Sequence, residues 1–201
     1  RNHSATHLTF AALREIYGKE IDQLGSDNNQ DRLTFDFPLN HKPTNEEVKK
    51  IELFVRDVIN KNIERKYIET TIDEAKKMGA IMTIDESEYF DSKNIRIVEF
   101  PGITSDLCGG THIDFTKNLE AFKIISVESK GTGIYRIKAI TSFALVNQYL
   151  KNEFKKYKEI FDSLMKKYQS LYETKETKRE LLKFGFFNDD IDLESKIEIV
   201  K

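Results

Sequence analysis

The stretch CGGTH, residues 108–112, holds the single cysteine of this 201-residue chain four positions ahead of a histidine, and its counterpart HSATH occupies residues 3–7 near the other end. Three of the four histidines and the cysteine therefore sit in two short His/Cys-x3-His units. On a helix, ligands four apart point to one side about one turn from each other, so His3 and His7 can grip one ion. The metalloprotease form of that pair needs a glutamate after the first histidine. Here Ser4 stands in that place, which argues against a peptidase with a built-in general base. Gly109 and Gly110 disfavour a regular helix and favour a turn whose backbone comes close to something, with Cys108 and His112 flanking a tight loop. Thiolate and imidazole together suit Zn²⁺, and His3, His7, Cys108 and His112 form a donor set that ion commonly takes. Either unit alone is commonly incidental, a histidine pair on an amphipathic helix or a small core cysteine. Their concentration in two matching units argues for a shared ion. Four protein ligands close a structural site, a catalytic zinc keeps one position for water or substrate, and the sequence leaves both open. His41, between Asn40 and Lys42, reads as an ordinary surface residue.

Working outward from the two units, Asn2 is a candidate N-cap for a helix from His3 to about Tyr17. Ala5, Leu8, Ala12, Leu13 and Ile16 recur there at helical spacing and Gly18 is the stop. RLTFDF (32–37) alternates as a strand does, and PLNHKP after it is turn chemistry. Thr44-x-x-Glu47 is a capping box ahead of Val48, Ile51, Val55, Val58, Ile59 and Ile63, which share one face of a long amphipathic helix. Thr71-x-x-Glu74 repeats the signal for a short helix closed by Gly79. IRIVEF (95–100), FKIISVES (122–129) and IYRIKAI (134–140) read as strands. The order of elements predicts an α+β domain to about Thr141, with a mixed or antiparallel sheet and packed helices. From Phe143 the pattern changes: Phe143, Val146, Leu150, Phe154, Tyr157, Phe161, Leu164, Tyr168 and Leu171 step by three or four, the mark of a long helix or coiled coil through which copies can associate. Residues 151–183 carry ten Lys/Arg against six Asp/Glu, whereas 184–201 carry five acids and two lysines. That mild excess reads as a solvated helix face or as a surface near RNA.

At this length the chain can bury a core without disulfides, and one cysteine cannot form an internal one. No signal peptide and no apolar run long enough to span a bilayer is present, so no membrane partner is expected and the setting predicted is the cytoplasm. With a formal net charge of −2, composition alone does not announce a nucleic-acid binder, and phosphate contacts must come from local patches. The chain opens at Arg1 on a functional-looking segment with no initiator methionine, which predicts a piece of a larger protein.

With both motifs in view, RNHSATHL followed by SDLCGGTHIDFT, FKIISVES and YRIKAIT resembles the editing domain of alanyl-tRNA synthetases and the related free-standing alanyl editing proteins. The resemblance runs from residue 1 to about Thr141 and includes TIDEAKKMGA (71–80). Threonyl-tRNA synthetases have a kindred domain, but CGGTH and the YRIKAI strand are similar to the alanyl branch. The resemblance implies a tRNA editing domain over 1–142, followed over 143–201 by a helical connector and part of a C-terminal region. It implies zinc as cofactor and the acceptor end of tRNA(Ala) as partner, with hydrolysis of the ester of mischarged seryl- or glycyl-tRNA(Ala). A pocket shaped for alanine cannot exclude glycine strongly and rejects serine poorly, so a second site must inspect the product. Thr6 matches the family threonine and is assigned the reading of the serine hydroxyl. Gln23 falls where the family has a pocket glutamine. Gly109 and Gly110 match the loop whose N–H groups can approach the ester. The family often has two consecutive arginines where this chain reads Tyr135-Arg136, leaving Arg136 for a phosphate or 3′-end contact, and a Gly-Asp where this chain has Lys117-Asn118. A free-standing trans-editing deacylase is the nearest alternative, and a different class, a zinc-stabilised RNA-binding module without catalysis, also fits the same ligands.

Overall fold

The computed structural model describes residues 1–82, 94–169 and 192–200. Its chain falls into two compact units, Arg1–Phe143 and Ala144–Lys201. In the first, helix α1 (Asn2–Tyr17) is followed by strands β1 (Gly25–Asn28) and β2 (Leu33–Pro38), helix α2 (Asn45–Lys61), strand β3 (Lys66–Thr70) and helix α3 (Ile72–Lys77). Strands β4 (Ile95–Phe100) and β5 (Thr104–Leu107), a 3-10 turn (Thr116–Leu119), and strands β6 (Phe122–Gly131) and β7 (Ile134–Thr141) complete it. Two antiparallel sheets result, ordered β1-β2-β7-β6 and β3-β4-β5, where the sequence pattern predicts one mixed or antiparallel sheet.

The capping signals act as the spacing predicts. Thr44 Oγ1 accepts the Glu47 N–H at 3.2 Å and the Glu47 carboxylate accepts the Thr44 N–H at 2.8 Å, closing the box at the start of α2. Thr71 caps α3 through Glu74 N–H, but the Glu74 carboxylate turns to Thr70 Oγ1 at 2.7 Å and the second half of that box is not made. Asn2 is not the N-cap of α1, because Arg1 holds that position. The buried Asn2 side chain instead donates to Asn29 O and accepts from Thr141 Oγ1, both at 2.7 Å, tying the start of α1 to the turn after β1 and to the end of β7. Gly18 ends α1 with φ of 102°, the left-handed region that a side chain resists.

The core forms where these periodicities meet. Leu8, Ala12 and Leu13 of α1 and Ile51 and Val55 of α2 pack with Leu33, Phe35 and Phe37 of β2 and Ile137 and Ala139 of β7, all fully buried. β4 divides its side chains by alternation: Val98 and Phe100 enter this core, while Ile95 and Ile97 pack with Ala75 and Leu107 in a smaller one. Arg96, on the same side of the pleat as Val98, is thereby aimed at the loop after β5. β5 ends at Leu107, so Cys108 leaves a rigid strand edge, and α1 begins with the other motif. Helices α4 (Phe143–Gln169), all but its first residue in the second unit, and α5 (Leu193–Val200) follow. Leu171, the last residue of the predicted stripe, lies outside the described residues. No helix among the described residues is long and apolar enough to cross a membrane.

Candidate metal centre

The two motifs converge. One ligand atom from each of His3, His7, Cys108 and His112 lies within 4.8 Å of every other. His3 Nε2 and His112 Nε2 are each 3.4 Å from Cys108 Sγ. A tetrahedral zinc with Zn–S of about 2.3 Å and Zn–N of about 2.0 Å has S···N edges of about 3.5 Å, so the spacing already suits that ion. The three imidazoles pack with centroids 4.4–5.2 Å apart.

The groups around the ligands set their tautomers. His7 Nδ1 is 3.1 Å from Asp106 Oδ2, and Asp106 is 1% exposed. A carboxylate there takes the Nδ1 proton and leaves Nε2 as a lone pair, and Nε2 is buried with no hydrogen-bond partner in the structure. An orphaned buried acceptor facing a thiol and two other imidazoles is what a metal ligand looks like, and the set fits zinc. Asp106 is itself held by Thr104 Oγ1 at 2.8 Å. Ser4 does the same work for His112: its Oγ accepts the Ile113 N–H at 3.1 Å and lies 3.3 Å from His112 Nδ1, so Nε2 is the atom turned to the sulfur.

Electrostatics follow from this packing. Burial opposes ionisation of the Cys108 thiol, but the His112, His3 and His7 imidazoles beside it and the Gly110 N–H outweigh it and bring its pKa down to about 3. Burial also disfavours a charged His7, yet Asp106 and Cys108 together raise it to about 9, so a proton at Nε2 competes with a cation for that lone pair. His112 is lowered, by burial first and then by the neighbouring imidazoles, with Cys108 pulling the other way.

The loop is pinned from outside by arginine. Arg96 Nε donates to Cys108 O at 3.0 Å, its Nη2 donates to Gly110 O, and the Cys108 N–H returns to Arg96 O at 3.1 Å. Arg65 Nε donates to Ile113 O at 3.0 Å, and its guanidinium pairs with Asp114 at 2.5 Å. Both guanidiniums lie against the Tyr67 ring, at 3.6 Å for Arg65 and 4.4 Å for Arg96.

The remaining predicted residues are dispersed around this centre. Thr6 is buried, one helical turn from Asn2, and its hydroxyl donates to Asn2 O at 3.0 Å and Asn28 Oδ1 at 2.6 Å. Gly110 sits against His3: a Cβ there would overlap ring atoms Cε1 and Nδ1. Its N–H is turned to Cys108 Sγ at 3.5 Å. A Cβ on Gly109 would meet nothing within 4 Å. Gln23 donates to Ser26 Oγ at 3.1 Å and lines a cavity with Phe10 and Arg14 of α1. Arg136 makes two bonds of 2.6 Å to Asp36, its register partner on β2. His41 bonds Asn40 and Glu47 on the surface. Sequence reasoning missed Asp106, Ser4 and Arg96. A signal for Asp106 exists, since an acid two residues before the cysteine falls on the same side of a strand.

This centre and its two antiparallel sheets lie in a segment that is similar to parts of certain aminoacyl-tRNA synthetases. Residues 95–138 match the family described as the threonyl and alanyl tRNA synthetase second additional domain. The alanine–tRNA ligase of Mycoplasma mobile is 56% identical over 173 residues, which is 86% of this chain and 19% of that protein. That of Mycoplasmopsis synoviae is 48% identical over 204 residues, covering 100% of this chain and 22% of the relative. That of Mycoplasmopsis pulmonis is 52% identical over 192 residues, covering 96% and 21%. The resemblance read from the motifs is borne out: residues 95–138 match the second additional domain of the threonyl and alanyl enzymes, and the chain is similar along its length to a segment of alanine–tRNA ligases. It spans about a fifth of the length of these relatives.

Proposed function

We propose that this segment proofreads for an alanine–tRNA ligase in the cytoplasm, hydrolysing the ester of seryl- or glycyl-tRNA(Ala). The observation that carries the reading is the convergence of His3, His7, Cys108 and His112 in a domain of this family. These four residues would hold zinc, which would orient the aminoacyl ester, or polarise it on expanding to a fifth ligand. Thr6 reads the side chain. Its hydroxyl hydrogen is committed to Asn2 O and Asn28 Oδ1, so an oxygen lone pair remains to accept the serine hydroxyl, and pairing with a polar group discriminates far better than a pocket wall. Gln23 orients the ester or its water from the adjoining cavity. Gly109, next to open space, supplies a backbone N–H to the ester oxygen. Asp106 is engaged with His7 and almost fully buried, so it positions a ligand rather than accepting a proton from substrate water. Arg136 meets a phosphate with the edge of its guanidinium left over from Asp36. Residues 1–142 form the editing domain in this reading, and α4 with the residues after it forms the connector and the surface for self-association, a role supported by the half-exposed Ile160 and Leu164.

Seryl-tRNA(Ala) deacylation by the wild type, Cys108→Ala and Thr6→Val tests this. Hydrolysis by the wild type and its loss in Cys108→Ala, with Thr6→Val impaired on the seryl ester, is the expected result. Hydrolysis retained in both variants overturns the mechanism, and a folded, zinc-loaded wild type that never cleaves the ester favours the binding module.

A further inference from the structure

The face of α1 that bears His3 and His7 continues past them. At about 100° per residue, His3, His7, Phe10 and Arg14 fall within about 60° of one another, so one stripe leads from two ligands to a guanidinium two turns beyond His7. Past the cluster this stripe borders a cavity of about 510 Å³, lined in part by Phe10, Arg14, Asp22, Gln23, Ile81 and Met82. That volume lies in the range of sites for small molecules. A second wall also joins cavity to cluster. Ile81 donates its N–H to Ser105 O at 2.8 Å and accepts from the Leu107 N–H at 2.9 Å, immediately before Cys108.

Arg14 is the one cation in this lining. Its guanidinium carbon is 5.5 Å from the centroid of the Phe10 ring, and among the described residues no carboxylate pairs with it. A guanidinium resting on an aromatic edge of a cavity, unpaired with any carboxylate among the described residues although Asp22 lines the same cavity, offers a fork to a phosphate.

We propose that this cavity seats the last nucleotide of the aminoacylated strand, with Arg14 on the phosphate 5′ to its ribose. The inference rests on the reading above, in which the ester lies at the metal centre. From His7 to Arg14 α1 rises about 10 Å, an interval that accommodates one nucleotide from its 3′ ester to its 5′ phosphate. Asp22 and Gln23 offer acceptors to a ribose hydroxyl, the group that separates RNA from DNA, and Leu24, 51% exposed at the rim, offers apolar surface to the base. Arg14 thus acts as a ruler: it places the ester carbonyl by holding the phosphate one residue back.

The test uses the zinc-loaded full chain and two non-hydrolysable probes, the 3′-serylamide of 3′-amino-3′-deoxyadenosine with and without a 5′-phosphate, titrated calorimetrically. In the wild type the phosphate should tighten binding about tenfold. In Arg14→Gln that gain should vanish while the phosphate-free probe keeps its wild-type affinity, and Arg14→Lys should keep part of the gain. An equal phosphate gain in wild type and Arg14→Gln, no gain in the wild type, or an equal fall for both probes in Arg14→Gln overturns the proposal. Failure of both probes to bind the wild type overturns the functional reading itself, and this inference with it.

Discussion

Gly110→Ala and Gly109→Ala change the same atom count in adjacent residues and should differ sharply. Neither glycine is among the residues with positive φ, so neither alanine meets a backbone penalty of that kind, and both keep their N–H groups. The difference is what the new Cβ touches. At Gly110 it would stand closer than 3.0 Å to Cε1 and Nδ1 of the His3 ring, where carbon contacts settle at about 3.5–4.0 Å, so the ring must retreat by at least about 0.5 Å. Metal ligands tolerate displacements of about 0.2 Å, so His3 leaves the coordination sphere. Disturbing an outer partner of a ligand already lowers affinity by about 10–100-fold, and displacing a ligand outright should exceed the upper end of that range. At Gly109 the Cβ meets nothing within 4 Å, and zinc affinity should stay within about twofold of wild type, since unburied substitutions are close to neutral. Competition against a chromophoric chelator reads both affinities, and urea unfolding of each variant checks that the fold survives. Wild-type zinc affinity in Gly110→Ala, or equal losses in the two variants, would refute the reasoning.

Asp106→Asn should lower zinc affinity by about 10–100-fold at nearly constant shape, because an amide cannot hold the His7 Nδ1 proton as a carboxylate does; the cobalt-substituted protein should show a weakened tetrahedral absorption band, and an unchanged band contradicts the tautomer argument. Phe37→Ala, at a fully buried site in the main core, should cost about 3–5 kcal/mol in urea unfolding, and a cost under about 1 kcal/mol would mean that β2 is not part of that core. The Glu47 carboxyl is held below its ordinary value, first by the Thr44 N–H and then by His41 and the Thr44 hydroxyl, with burial opposing. A depressed carboxylate contributes stability that is complete above the unfolded value of about 4.3 and is lost as the pH falls through the lower folded value. The difference in urea midpoint between wild type and Glu47→Gln should therefore be present at neutral pH and shrink below about pH 4, and a difference independent of pH would remove the ionic half of the cap.

The elements that were legible in the sequence are those whose side chains repeat a burial pattern. Leu33, Phe35 and Phe37 announce β2, and Val48 to Ile59 announce α2, because each run must cover a core on one side. β1 (GSDN), β3 (KYIET) and β5 (TSDL) are not legible, since they are short and mostly polar, and all three are end strands of their sheets. Missing β3 and β5 is why a second sheet was not foreseen. Asn2 has the residue type of a cap, but a long-range bond to Thr141 outweighs the local preference, and no local rule encodes a partner 139 residues away. The four ligands could be read because their spacing is itself the chemistry. Asp106, Ser4 and Arg96 could not be placed beside them until the fold brought β5, α1 and β4 together, since their roles lie in contacts and not in spacing.

X-ray absorption at the zinc edge of the purified protein tests the shared ion directly. One zinc per chain with one sulfur at about 2.3 Å and three nitrogens at about 2.0 Å is the expected spectrum. A first shell of oxygen and nitrogen without sulfur, or protein that takes up no zinc, would mean that Cys108 and the three imidazoles do not hold a common ion.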